Sequence, residues 1–528
     1  MNKNLVFIIK ANQEFIRHTK KEILEVEPEL NSLFESISRT YIPLLNMLEG
    51  FEKDGVQAKI GLVLPPVLCA LLDNEEIQNM YVTWLKNRIQ LGEKELKRCK
   101  KDEAILKNVQ NVIDQAKALQ KDFEEKYNKK LIEKFVEYHR KNFIELIATT
   151  GTDIFMPHYS DMPEVISAQI EVGLQAYRKS FGETPEGFWL PELGYTPEVE
   201  RIIKAYGYSY TIVDSRSILL SKNIPQKGIF YPLRTDNCLG IFTANPFLQD
   251  ELFGEEGYAN NEVYRNENHD IGFDLSVEEL APIAHKGQCR VSTGFCYWNK
   301  SYNGDEVYNK DAALEQAKLD AKDFLESKQK LLEEAEGLIK STEFITYVCT
   351  LDAEHLRTTW SEGLYWLEQV IRTAAEHSLT VTSCNEMTDK QFTYEKVTPY
   401  YSSAAGTGYG ENLLSSKNCW MMRYIKKACE RMIDLADRFP NDTGLKTRLL
   451  NLGAKELIIA QSSGLSKMIE NDDFPEFAKN RFMDSIKAFT SVFDSLGSNT
   501  VSTEWLTTLE IYDDIFPWLN YRIFSKKK

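Results

Sequence analysis

The run Leu5-Val6-Phe7-Ile8-Ile9 is apolar at every position, with no alternation between apolar and polar residues. A strand of that kind is buried on both faces, as in a parallel sheet sheathed by helices. The pattern recurs along the chain. Lys59-Ile60-Gly61-Leu62-Val63-Leu64 is halted by Pro65-Pro66, Phe143 to Thr149 restores it, Gly187-Phe188-Trp189-Leu190 ends at Pro191, and Tyr208 to Val213 ends at Asp214. Glu343 to Cys349 and Leu379 to Ser383 follow. Between these runs lie segments of helical spacing, including Leu33, Phe34, Ile37 and Tyr41, then Val165, Ala168, Val172 and Gln175, and helices over 311–339 and 365–377. Repeated strand-helix alternation implies a parallel barrel.

Two stretches interrupt the alternation. Residues 74–141 are rich in Lys, Glu, Gln and Leu with almost no Gly or Pro, which predicts a helical excursion with charged outer faces. Its charge run Lys97-Arg98-Cys99-Lys100-Lys101 reads as a solvated face. Over 221–281 periodicity fades while Gly, Pro, Asn and aromatics rise, predicting a loop-rich insertion over the barrel mouth, where substrate contacts are often carried. After Pro399 the chain is first rich in Ser, Gly and Asn and then helical, over 420–438, 447–469 and 477–496, with Leu450, Ala454, Leu457 and Gln461 on one face of the middle helix. The expected division is a barrel over 1–390 and a helical domain over 391–528.

A formal charge of -16 and a pI near 5.2 disfavour nucleic acid and anionic membrane as partners, and suit a neutral substrate. The nine cysteines, Cys289 among them, are odd in number and never form a C-x-x-C pair, so they signal neither a disulfide framework nor a zinc site. The apolar run at Leu5–Ile9 is too short for a signal-peptide core and stops at Lys10, and no later run approaches membrane-spanning length. A soluble, cytoplasmic protein without metal is the expectation.

Two of the strand runs deliver a carboxylate where they stop: Glu192 after Trp189-Leu190-Pro191, and Asp352 after Val348-Cys349-Thr350-Leu351. Either acid alone reads better as a cap on the following helix. Together, at the C-terminal ends of two strands of one barrel, they face the mouth where barrel enzymes hold their sites. Retaining glycosidases use two acids roughly 5 Å apart, one attacking the anomeric carbon and one protonating the leaving oxygen.

At this point the chain resembles glycoside hydrolase family 57, and within it the 1,4-α-glucan branching enzymes. The matches are Trp189-Leu190-Pro191-Glu192, Asp352-Ala353-Glu354, Glu362-Gly363, Glu256-Gly257-Tyr258 with Tyr264-Arg265, Ile271-Gly272-Phe273-Asp274-Leu275, Ala460-Gln461-Ser462-Ser463 and Ile515-Phe516-Pro517. The resemblance implies a distorted (β/α)7 barrel followed by an all-α domain, Glu192 as nucleophile, Asp352 as general acid/base, α-1,4-glucan of the glycogen or amylose type as substrate, and no cofactor. The chain departs from the family where Lys10, Asn12, Thr150 and Thr358 replace four histidines, Ala404 and Leu413 replace tryptophans, Gly464-Leu465 replaces an aspartate-tryptophan pair, and Ala244-Asn245 replaces an arginine-aspartate pair. Lys10, Asn12, Thr150 and Thr358 keep hydrogen-bonding groups for sugar hydroxyls, and Trp189, Tyr258, Trp298, Trp360 and Gln461 are further expected substrate contacts. Loss of the tryptophans leaves three activities open: branching, hydrolysis in the manner of an amylase, and glucan binding without catalysis. Oligomeric state is not legible.

Overall fold

The computed structural model describes residues 2–17, 28–281, 283, 290–301, 306–339 and 343–526; Cys289 lies outside them. Among these residues nine strands occur: β1 (Asn2–Lys10), β2 (Ile60–Val63), β3 (Ile144–Leu146), β4 (Gly187–Phe188), β5 (Tyr210–Asp214), β6 (Leu233–Arg234), β7 (Gly240–Ala244), β8 (Phe344–Asp352) and β9 (Leu379–Thr382). Seven run in the order β3-β2-β1-β8-β7-β5-β4, every pairing parallel. A parallel bridge between Ala148, just past β3, and Phe188 in β4 brings the two ends of this row together into a nearly closed barrel. Leu5 to Ile9 are fully buried, as the unbroken apolar run requires of the central strand.

The sheet corrects the sequence reading in two places. Gly240–Ala244, inside the segment expected to be loop-rich, is the fully buried strand β7, and without it β5 and β8 would have no common neighbour. Gly240-Ile241-Phe242-Thr243-Ala244 opens on glycine and holds only two large apolar residues, so it lacks the unbroken apolar run that marks Leu5–Ile9. Conversely β9, expected as a last barrel strand, stands outside the ring. β8 takes one edge of β1 along its whole length, while β2 pairs with Ile8–Lys10 and β9 with Lys3–Val6. The remaining edge is therefore shared.

Helices over Glu75–Arg98, Glu103–Lys121 and Leu131–Arg140 form the excursion between β2 and β3. The first starts where the Asn74 side chain accepts from the Ile77 N–H at 3.0 Å, and buries one face through Ile77, Tyr81, Trp84 and Leu85. Beyond the barrel come helices Trp420–Arg438, Leu445–Ala460, Ser463–Glu470, Pro475–Ser498 and Thr503–Tyr512. The single helix expected over 447–469 is thus two. It breaks at Ser462, whose backbone is extended, and the barrel satisfies the freed groups: Ser462 Oγ donates to Glu14 Oε1 at 2.7 Å and the Ser463 N–H donates to the Asp153 carbonyl at 2.7 Å. A second tie is ionic. Arg17 grips the fully buried Asp513 with two bonds of 2.9 and 2.8 Å, and Arg481 approaches the same carboxylate at 3.3 Å. Burial alone would raise the Asp513 carboxyl, but Arg481 and Arg17 together hold it below the ordinary value.

Candidate active site

Lys10, Asp214, Ala244 and Asp352 are the last residues of β1, β5, β7 and β8, and all four line one cavity of about 680 Å³. A parallel barrel directs these ends to the same rim, so the chain's strand-terminal side chains converge there. Helix Ser463–Glu470 supplies the far wall through Gly464, Lys467 and Met468.

Glu192 is set by an irregular turn. After β4 the chain runs through Trp189 and Leu190, and Glu192 and Leu193 then take left-handed backbone angles, φ +55 and +50. Such angles are rare outside glycine and cost on the order of 1–3 kcal/mol each. The Ala404 N–H donates to the Glu192 carbonyl at 2.7 Å and fixes the turn from the loop opposite. The side chain, 13% exposed, meets Lys467 Nζ in a short ion pair at Oε1, and Lys10 Nζ lies 3.8 Å from the same oxygen. Burial would raise this carboxyl. Lys467 and then Lys10 more than offset that, so it sits below its ordinary value and is ionised at neutral pH.

Lys10 is the hub of the charges. Its ammonium is buried, which by itself would lower its proton affinity, but Asp153 at 3.5 Å, Glu192 and Asp352 raise it above the ordinary value. Asp352 stands in register with Lys10 on the neighbouring strand. One of its oxygens accepts from the Glu354 N–H at 2.9 Å, so it does part of the capping work that an acid past a strand end commonly does. Asp214 does that work in full: it accepts from the Arg216 N–H at 2.9 Å and pairs with Arg216 Nε at 2.7 Å. One sequence rule, an acid where a strand stops, yields a cap at Asp214 and an uncapped carboxylate at Glu192.

Of the other expected contacts, Lys10, Asn12 and Trp189 line the cavity. Asn12 Oδ1 and Trp189 Nε1 are buried without a hydrogen-bond partner, an acceptor and a donor left for a ligand or water. The remaining six do not line it. Thr150 is fully buried and donates to the Thr152 carbonyl, and Gln461 is buried, donating to Cys429 Sγ at 3.3 Å and accepting from Gln169 at 2.8 Å. Trp360 has no exposed surface and packs on Tyr264 and Trp366 with ring centres 5.4 and 5.3 Å away. Tyr258 donates to Asp323 at 2.6 Å, Trp298 stacks on His269 at 5.9 Å, and the Thr358 hydroxyl donates back to the Glu354 carbonyl at 3.0 Å. Aromatic and hydroxyl chemistry alone does not tell a core residue from a binding one. Of the two positions expected to have lost a shielding tryptophan, Ala404 is exposed and lines the cavity, whereas Leu413 is buried against Phe155 and Ala405.

Sequence reasoning missed Lys467, Glu14, Glu29 and Asp153. Glu14 and Asp153 follow the first and third strands and were open to the rule that found Glu192; Lys467 and Glu29 carry no local signal. Glu14 and Glu29 both line the cavity, and burial, the larger cause in each, pushes them up to about 7 and about 8. The Glu14 carboxylate fills the space in front of Gly464, where an added Cβ would run into its Oε1.

The family model described as glycosyl hydrolase family 57 matches residues 6–401, and that described as the 1,4-alpha-glucan branching enzyme C-terminal domain matches residues 424–524. A 1,4-alpha-glucan branching enzyme of Thermococcus kodakarensis is 24% identical over 488 residues, covering 85% of this chain and 68% of its own length. Among solved structures, the alpha-amylase AmyC from Thermotoga maritima superposes with a TM-score of 0.91 at 27% identity, covering 100% of both chains. A GH57-type branching enzyme from Pyrococcus horikoshii superposes with a TM-score of 0.87 at 23% identity, covering 100% of this chain and 98% of that one.

Proposed function

The chain belongs to glycosyl hydrolase family 57, and from that premise we propose that it is a retaining α-glucan enzyme whose main reaction is 1,4-α-glucan branching. Glu192 attacks C1 of an α-1,4-linked donor while Asp352 gives its proton to the departing 4-oxygen, leaving a glycosyl ester on Glu192. Asp352, now a carboxylate, takes the proton from the 6-hydroxyl of an acceptor glucan as that oxygen attacks C1, which forms an α-1,6 link and frees Glu192. The observation that carries this reading is the ionised Glu192, aimed into the cavity by its left-handed turn, with Asp352 on the same rim. Lys467 and Lys10 both address Oε1, so Oε2 is the attacking oxygen. The C-terminal match to branching enzymes supports transfer over hydrolysis. The reading assigns the chemistry to 1–390 and gives the helical domain, 391–528, the cavity wall that carries Lys467. It also places the protein with glycogen-type polymer in the cytoplasm.

Hydrolysis is the second reading. It is favoured by the likeness to an alpha-amylase along the whole chain and by the small, exposed Ala404, which leaves the glycosyl ester open to water. Incubation with amylose, with α-1,6 linkages and reducing ends assayed separately, decides between them. New branches in excess of new reducing ends are expected. The reverse ratio makes the protein a hydrolase, and glucan binding with neither product, together with Glu192 unlabelled by a mechanism-based fluoroglycoside, refutes catalysis.

A further inference from the structure

A second cavity, about 270 Å³, opens on the flank of the barrel and shares no lining residue with the first. One wall is helix Glu103–Lys121, which presents the amides of Asn108, Asn111 and Gln115 at spacings of three and four residues, hence on one face. The wall opposite is built from Arg39 and the start of helix Gly363–Thr373, with Ser361, Glu362 and Glu368. Arg39 is carried on a π-helical turn, Ile37–Tyr41, an irregularity that recurs at functional sites.

The base of this cavity is charged but balanced. Arg39 and Arg265 each lie 2.8 Å from the Glu267 carboxylate, and Arg88 lies 3.2 Å from Glu35. Glu362, 3% exposed, accepts from the Tyr308 hydroxyl at 2.6 Å through Oε1, while its Oε2 is buried with no partner. Arg88 Nε is likewise buried and unpaired. A buried polar atom left unsatisfied forfeits its hydration without recompense, so an acceptor and a donor here await a ligand or water. Gly294 is required beside them, because a Cβ there would occupy the place of the Arg88 guanidinium.

The chemistry of the lining selects the ligand class. An anion would meet the Glu362 and Glu368 carboxylates, and a cation would meet three guanidinium groups and the Lys310 ammonium. Amides, a carboxylate, a hydroxyl and guanidinium groups pair with a neutral molecule that both donates and accepts at several points. The volume is that of roughly nine waters at ~30 Å³ each, room for one sugar ring. We propose that this flank cavity is a non-catalytic saccharide site that holds one hexose unit, taken from a free sugar or from a glucan chain. The inference goes beyond the active-site reading and does not depend on its chemistry.

Hydrogen exchange on the full chain tests it, with glucose, maltoheptaose and inorganic phosphate as separate probes at millimolar concentration. Protection of peptides spanning 105–118 and 361–370 is expected with saccharide and absent with phosphate. Protection by glucose identifies a free-sugar site, and protection by maltoheptaose alone identifies a site for glucan chains. The Asn111→Leu/Gln115→Leu double variant, changed on one helix face, should weaken this protection at least tenfold while leaving saccharide-dependent protection at 187–195 intact. Glu362→Gln should weaken it also. No protection at the flank with either saccharide, protection by phosphate instead, or protection undiminished in these variants overturns the proposal. A chain that yields neither new branches nor new reducing ends yet shows flank protection loses the active-site reading alone.

Discussion

Removing Lys467 should expose the charge that the active site confines. At ~4 Å and an effective dielectric near 20, one unit pair is worth about 4 kcal/mol before desolvation is subtracted, and Lys467 is the nearer of the two cations on Glu192 Oε1, with Lys10 at 3.8 Å. In Lys467→Met the Lys10 ammonium stays, so Glu192 keeps part of its counter-charge. The net loss should be on the order of 1–3 kcal/mol, below the 3–5 kcal/mol typical of a buried charge left with no partner. The sign follows from the carboxyl. Its folded-state value lies below the ordinary 4.5, so the pair's contribution is present above that pH and is lost as pH falls through the folded-state value. Urea denaturation at pH 7 should therefore separate wild type from Lys467→Met by that margin, and the two should converge in acid. A double-mutant cycle with Glu192→Gln isolates the pair and should return a coupling of at least ~1 kcal/mol at pH 7. The acidic limb of any kcat/KM profile should move to higher pH in Lys467→Met and stay in place in Lys467→Arg. A coupling below about 0.5 kcal/mol at pH 7 would refute the claim that Lys467 sets the state of Glu192.

The other expectations concern the same cavity. Burial holds Glu14 at about 7, above its ordinary 4.5, so the folded protein binds the proton more tightly than the unfolded chain and stability falls as pH rises between those values; Glu14→Gln should match wild type near pH 5 and exceed it at pH 8 by on the order of 1–3 kcal/mol in urea melts, and a pH-independent difference contradicts this. Gly464→Ala should cost about 1–3 kcal/mol by pushing Glu14 aside, and Glu14→Ala should recover most of the loss when the two are combined. Asp352→Asn should lower turnover of amylose by about 10²–10⁴-fold, and an unchanged rate removes Asp352 from proton transfer. Ala404→Trp should raise the ratio of α-1,6 links to reducing ends, because that position faces the cavity, while Leu413→Trp should act on stability instead, since Leu413 is enclosed by Phe155 and Ala405.

The sequence by itself determined what depends on neighbours along the chain. Leu5–Ile9 had to be a strand buried on both faces, the helical spacing in 164–180 had to follow the third strand, and a carboxylate had to stand where the runs before Glu192 and Asp352 stop, because burial period and strand ends are local properties. Only the tertiary structure decided what depends on distant segments. Lys467 reaches Glu192 across 275 positions, and nothing in helix Ser463–Glu470 distinguishes it from any other lysine on a half-exposed face. Trp360, Thr150 and Gln461 have the chemistry of sugar contacts and are spent on the core, whereas the buried Glu14 and the half-buried Glu29 line the cavity. Barrel closure waited on β7, whose Gly240, Thr243 and Ala244 break the apolar run that would have announced it. Charge pairing, desolvation and ring closure are set by which surfaces meet, and a one-dimensional pattern records residue type without recording the partner.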